Sequence, residues 1–160
     1  MDKKKIISEI IKELEREFET LSKAAKEARD EATHEEAQAE NEYDTRGLEA
    51  SYLAGAQAKR ADEIRTLIQI FSKLEPADYD DESPIGSTAL VKTEVDGEDI
   101  RWFFLIPHQG GINVTVDGNA IYAVSLDSPV GKELKEQTVG HAFAIKTKDS
   151  EIEYEVLQVL

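Results

Sequence analysis

Residues 7–32, I7-S-E-I-I-K-E-L-E-R-E-F-E-T-L-S-K-A-A-K-E-A-R-D-E-A32, decide the fold. Ile7, Ile11, Leu14, Phe18, Leu21, Ala25, Ala28 and Ala32 step by 4 and 3 in strict alternation, the spacing of a helix that lays one apolar seam against a partner helix. The seam shrinks from Ile, Leu and Phe to Ala along the chain. A second series, Ile64, Leu67, Phe71 and Leu74, steps by 3, 4 and 3 and follows Ala50, Ala54 and Ala56, which predicts a second helix from about Ala39 to Leu74. Large residues then meet at the base and small ones near the turn, so the pair reads as an antiparallel coiled-coil hairpin. Helices of about 30 to 35 residues at about 1.5 Å each give a stalk on the order of 45 to 50 Å. Gly47 and Gly55 fall inside the second helix, at about 1 kcal/mol each relative to alanine. Close approach of the helices is the expected reason, with a local kink near the turn as the alternative.

The turn between the helices carries an unusual density of acids with no Lys or Arg among them: T33-H-E-E-A-Q-A-E-N-E-Y-D44. An acid-rich helix end is ordinarily a solvated surface, and glutamate near a helix N-terminus is favoured by the macrodipole in any case. An acidic tip on a stiff stalk can also deliver carboxylates into another protein's site.

Composition bounds the rest. The 160 residues suffice for a small domain plus an arm, but not for two full cores. All four prolines and seven of the nine glycines lie from Pro76 onward, so turn-rich chemistry belongs to the second half. The expected division is a hairpin over 1–75, a linker over 76–84 and a small domain over 85–160. The net charge of −15 divides unevenly: 13 Lys and Arg against 18 Asp and Glu over 1–75, and 6 against 16 over 76–160. That balance disfavours independent binding to DNA or to an anionic membrane, for want of basic excess to displace counterions. The absence of cysteine excludes disulfides, thiolate zinc sites and a Cys nucleophile. The longest apolar run, W102-F-F-L-I106, is far too short to span a bilayer. A soluble, cytoplasmic monomer is expected.

The second half alternates strand-like segments with turn signals. A89–V95, D99–I106, N119–V124, H141–T147 and I152–V159 are rich in β-branched and aromatic residues, separated by Asp-Gly and Gly-Gly. In the last, Ile152, Tyr154, Val156 and, after a shift, Val159 oppose Glu151, Glu153 and Glu155. One face is expected to be buried and the other wet. D127-S-P-V-G-K-E-L-K-E-Q137 places Ser128 as N-cap and Pro129 at the first helical position of one short helix. The fold class is therefore α+β: a helical hairpin, then a small antiparallel sheet packed by one helix.

Several residues carry a specific resemblance: E40-N-E-Y43, Y52-L-A-G55, S128-P-V-G-K-E-L134 and the ending A144-I-K-T-K-D-S-E-I-E-Y-E-V-L-Q-V159. Together with the order of a long hairpin, an acidic tip and then a small sheet with Ser-Pro before a short helix, they resemble the bacterial Gre transcript cleavage factors over nearly the whole chain. The resemblance implies an FKBP-like C-terminal domain and a partner, RNA polymerase, whose secondary channel receives the coiled coil. It implies that tip carboxylates reach the Mg²⁺ of the polymerase active site, with no tightly bound cofactor in the factor itself. The chain would then be no enzyme but a stimulator of the polymerase's own nuclease activity, contacting the nascent RNA 3′ end only indirectly.

Carried over residue by residue, Glu36 and Glu40 become the catalytic and metal-directed pair, with Glu35, Asn41 and Glu42 as neighbours. Asp127, Ser128 and Pro129 become the polymerase-binding loop. The family's tip motif, Asp-Leu-Lys-Glu-Asn-Ala-Glu-Tyr, corresponds here to E36-A-Q-A-E-N-E-Y43, one residue different in register. Arg46, Lys59 and Arg60 are the only cations for some distance along the second helix, so no clear basic patch awaits extruded RNA.

Three functions remain open: a cleavage-stimulating elongation factor, a Gre-like channel regulator without cleavage, and a prolyl isomerase on the FKBP analogy alone. His34, His108 and His141 receive no chemistry. Trp102, Phe103 and Phe104 are expected in the sheet core or a flanking contact. N113-V-T115 matches a glycosylation sequon, which matters only in secretion.

Overall fold

A computed structural model describes residues 1–33, 46–148 and 150–160, with the side chain of Arg46 left aside. Helix α1 spans Lys3–Thr33 and helix α2 Arg46–Ser72, about 46 and 40 Å at 1.5 Å per residue. Residues expected to begin the second helix before Arg46 lie outside the described ones. Strands β1 (Leu90–Val95), β2 (Asp99–Ile106), β3 (Ile112–Val116), β4 (Asn119–Ser125), β5 (Ala142–Lys146) and β6 (Glu151–Val159) follow, with helix α3 (Pro129–Leu134) between β4 and β5. Two compact units result: Ile11–Lys73, and Met1–Ile10 together with Leu74–Leu160.

Within the hairpin unit the 4/3 pattern does what its spacing predicts. Leu14 and Ala28 are buried, with Phe18, Leu21 and Ala25 half-buried between them. On α2, Ala50, Ala61, Ile64, Leu67 and Phe71 are buried. Arg60 reaches Glu17 at 3.3 Å, and the Arg65 guanidinium lies 5.3 Å from the centre of the Phe18 ring. Two expectations on α2 change. Ala56 is exposed and Ala61 is buried in its place, because the inward stripe runs 50, 54, 57, 61, 64 at helical spacing. A Cβ added at Gly55 would meet nothing within 4 Å, so close helix approach does not explain that glycine.

The β-rich unit is a six-stranded sheet in the order β3-β4-β2-β1-β6-β5. Every pairing is antiparallel except β2 with β4, which is parallel. The sequence reading lacked β3, whose alternation Val114 and Val116 inward, Asn113 and Thr115 outward places the sequon residues on a sheet edge. From β2 the chain skips one strand position to reach β3, then returns through β4 into the gap. The Asp96-Gly97 and Asp117-Gly118 turns have positive φ at both positions, 51° and 73°, then 52° and 81°, as two-residue hairpins require. In the β1–β6 pairing the register slips between Lys92 and Thr93, so that Leu157 is the extra residue of a bulge. This is the shift seen between Val156 and Val159 in sequence.

Phe103 and Leu105 join Leu134 of α3, Tyr154 and Val156 in one core. Phe104 and Ile106, alternate residues on the opposite face, are equally buried, as are Leu90, Ile121 and Ala123. The expectation of one wet face therefore fails for the middle of the sheet and holds toward its edges, at β3 and toward β6 and β5. Ile6 and Ile10, outside the predicted seam, are fully buried, and they belong to this unit rather than to the hairpin unit. Lys5 pairs with Asp117, while Lys3 donates to the Ala77 carbonyl and lies 5.1 Å from the Tyr79 ring centre. The Asp117 hydrogen bond, then its charge, holds Lys5 above its usual range, whereas burial pushes Lys3 down. The stretch expected as linker is fastened to the β-rich unit: Ala77 N donates to Thr88 Oγ1 (2.8 Å) and Tyr79 Oη to the Ser87 carbonyl (2.8 Å).

Candidate functional site

The segment joining α1 to α2 is the acid-rich one. His34, Glu35, Glu36, Glu40, Asn41 and Glu42 lie outside the described residues; α1 ends before them at Thr33 and α2 begins after them at Arg46. On the α1 side, Asp30 and Glu31 are exposed and Thr33 turns its hydroxyl back onto the Arg29 carbonyl at 3.0 Å, a helical back-bond that commits its one donor. On the α2 side, Glu49 stands in the first turn. Among the described residues no group of three or more His, Cys, Asp or Glu is arranged to hold a metal.

The cations of α2 are mostly engaged in the hairpin. Arg60 bridges Glu17 and Glu63, each at 3.3 Å, and Arg65 pairs with Asp62 at 3.1 Å. Arg60, one of the few cations on this stretch of α2, is thus a tie between helices. Lys59 is exposed.

What the sequence reading missed is apolar. Leu48, Tyr52 and Leu53 are 57%, 73% and 53% exposed, a density of exposed large side chains that the other described parts of the chain do not match. Leu48 and Tyr52 are four apart and share a face of α2. The signal was in hand, since Y52-L53 belongs to one of the stretches that carry the family resemblance.

The second candidate group is the loop from β4 into α3. Ser128 Oγ donates to the Ser125 carbonyl at 2.7 Å and accepts from Gly131 N at 3.0 Å, so it caps the helix as predicted. Pro129 occupies the first helical position, and both it and Asp127 are exposed. The helix presses hard on the end of β4, because a Cβ at Gly131 would stand 2.0 Å from the Ser125 carbonyl oxygen. Gly110, where the chain passes over the same end, would bring a Cβ within 2.6 Å of Ser125 N. Ser128 is therefore a structural residue of this loop, and Asp127 and Pro129 are what it presents. Trp102 lies under Lys92 at 5.8 Å, and His141 stacks on Phe143 at 5.7 Å, neither beside a nucleophile.

The architecture is that of a two-helix stalk with an acidic connection, joined in sequence to a six-stranded sheet. No protein-family model matches the sequence, and no curated protein does. Among solved structures the chain is similar to Gfh1 of Thermus aquaticus, at 24% identity over 94% of this chain and 90% of that one, with a TM-score of 0.40. It is likewise similar to GreA factor homolog 1 (Gfh1) of Thermus thermophilus, at 24% identity over 96% and 94%, TM-score 0.38. The prokaryotic transcription elongation factor GreA/GreB from Nitrosomonas europaea matches at 18% identity over 60% and 78%, TM-score 0.37. No helix among the described residues is long and apolar enough to cross a membrane.

Proposed function

We propose that this chain is a transcription elongation factor that binds RNA polymerase, inserts its hairpin into the secondary channel and stimulates cleavage of backtracked transcript. The observation that carries the reading is the coincidence of position and charge. The residues linking two helices of about 46 and 40 Å are the acid-rich ones, and the seam near them narrows to Ala28 and Ala50. Two helices joined in sequence by carboxylate-bearing residues suit a narrow passage that ends at a metal.

The chain's own part is to hold and orient. Glu36 and Glu40 offer the hard oxygen ligands that Mg²⁺ accepts one or two at a time while keeping its waters. The polymerase's Mg²⁺ supplies the charge stabilisation for in-line displacement at phosphorus. Asp127 and Pro129, held outward by Ser128, supply a docking contact on the polymerase. In this reading the factor has no nuclease activity alone and works as a monomer in the cytoplasm.

A second reading, a channel regulator without cleavage, is favoured by one observation. Glu36 and Glu40 are four apart, where the family's Asp and Glu are three apart, which changes the geometry offered to one ion. A single-turnover assay on stalled, backtracked polymerase with varied Mg²⁺ separates the two. Shortened RNA that disappears in Glu36→Ala or Glu40→Ala supports cleavage. Polymerase binding with no shortening supports the regulator. Failure to bind polymerase at all ends both.

A further inference from the structure

We propose that β5 and the carboxylate-bearing sheet face beside it form a docking edge for an extended Lys/Arg-rich segment of a partner protein, taken up as a seventh strand. The inference goes beyond the reading above and uses no residue of the hairpin.

β5 is the terminal strand on its side of the sheet. Its backbone parity is fixed at both ends: Val156 N donates to the His141 carbonyl at 2.9 Å, and Thr147 N to the Ser150 carbonyl at 2.7 Å. Between these the register with β6 runs without a slip. In an antiparallel ladder the bonded residues alternate, so Phe143 and Ile145 direct their main chain to β6. Ala142, Ala144 and Lys146 direct theirs to the open side. β5 has no proline, bulge or inward-pointing charge, and its only guards against a further strand are its length of five residues and one lysine, Lys146. Its exposed side chains are two methyl groups and Lys146, which is already paired with Glu151 at 3.5 Å.

Ala142 and Ala144 border a groove of about 470 Å³. Across it, Ala142 stands opposite Glu155 and Glu155 opposite Glu94, while Ala144 stands opposite Glu153. Among the described residues no hydrogen bond or ion pair engages the Glu94, Glu153 or Glu155 carboxylates, and the β1 cation on this face, Lys92, lies over Trp102. Like charges directly opposite each other oppose folding. A strand with lysine or arginine at alternate positions relieves that repulsion, because its period of two drops every second side chain on this face. The long aliphatic stems then lie over the alanine methyls, where a bulkier β5 would leave no room. A second copy of this chain is the wrong occupant, since it would bring the same carboxylates.

The test uses the whole chain, isotope-labelled, and a synthetic peptide of alternating lysine and valine. The expected result is perturbation and slowed exchange of the Ala142, Ala144 and Lys146 amides, with those of Phe143 and Ile145 unmoved. The double variant Glu153→Gln/Glu155→Gln should weaken binding roughly three- to tenfold, and added salt should do the same. A peptide N-methylated at alternate residues keeps every charge but cannot donate to the edge, and it should lose binding while the protein stays unaltered. Equal binding of the methylated peptide, binding that bypasses those three amides, or no binding of the lysine peptide beyond that of a glutamate counterpart overturns the proposal. Self-association of the chain through β5 overturns it equally.

Discussion

The two units use their apolar residues in opposite ways. In the β-rich unit both faces of the central strands are covered, and Phe103 and Phe104 are each at most 3% exposed although they point in opposite directions. In the hairpin unit the distal turns of α2 leave Leu48, Tyr52 and Leu53 in solvent. The difference teaches where stability resides: a residue packed on every side contributes to folding, whereas an exposed tyrosine contributes little.

The widest separation should appear between two aromatic truncations. Phe104→Ala, at a fully buried position, should cost about 3–5 kcal/mol in denaturant unfolding. Tyr52→Ala should stay within about 0.5 kcal/mol, and equal costs would erase the contrast. Next comes one added methyl in each unit. Gly131→Ala drives a Cβ into the Ser125 carbonyl and should destabilise by about 1–3 kcal/mol. Gly55→Ala meets open space in a helix and should stabilise by about 1 kcal/mol, read as a shift in thermal midpoint of opposite sign. Loss of the cap in Ser128→Ala should cost about 1 kcal/mol, with the amide of Gly131 exchanging faster.

The smallest effect is on pH. The Ser83 hydroxyl, donating at 2.6 Å, holds Asp80 below its ordinary value of 3.8. A depressed carboxyl contributes stability that is complete above the ordinary value and fades as pH falls through the folded one. Ser83→Ala should move the Asp80 titration upward in a carboxyl NMR experiment, and an unmoved titration would contradict the bond.

How much of this was legible depended on whether the cause was local. Seam periodicity is local, so Leu14, Ile64 and Phe71 could be read directly, as could the Ser128 cap and the Asp-Gly turns. Ile6 and Ile10 were not legible because one seam explains one partner, and these two are buried within the other unit. β3 escaped because H108-Q-G-G-I-N-V-T begins with turn chemistry and its strand holds only five residues. The parallel pairing of β2 with β4 leaves no mark on either strand alone. The same holds for the open edge of β5, since being last in a sheet is a property of the order of strands. Of the candidate site, the loop residues Asp127, Ser128 and Pro129 were found by cap spacing together with the resemblance. Glu36 and Glu40 rest on the resemblance and on the helices around them.

The detour by which β4 fills the gap between β2 and β3 has a consequence for assembly. Until residues 119–125 arrive, β2 has a ladder on its β1 side only, and β3, an edge strand, has no pairing at all. The open flank of β2 cannot be completed by β3, the next strand in sequence, and waits for β4. As the chain leaves a ribosome, the hydrophobic run W102–I106 therefore waits with one unsatisfied flank while about fifteen further residues are made, and loops must close before those bonds reward them. Slowing synthesis just after Ile106 should lengthen that interval and raise the fraction captured by chaperones or lost to aggregates. The same pause placed after Ser125 should matter far less.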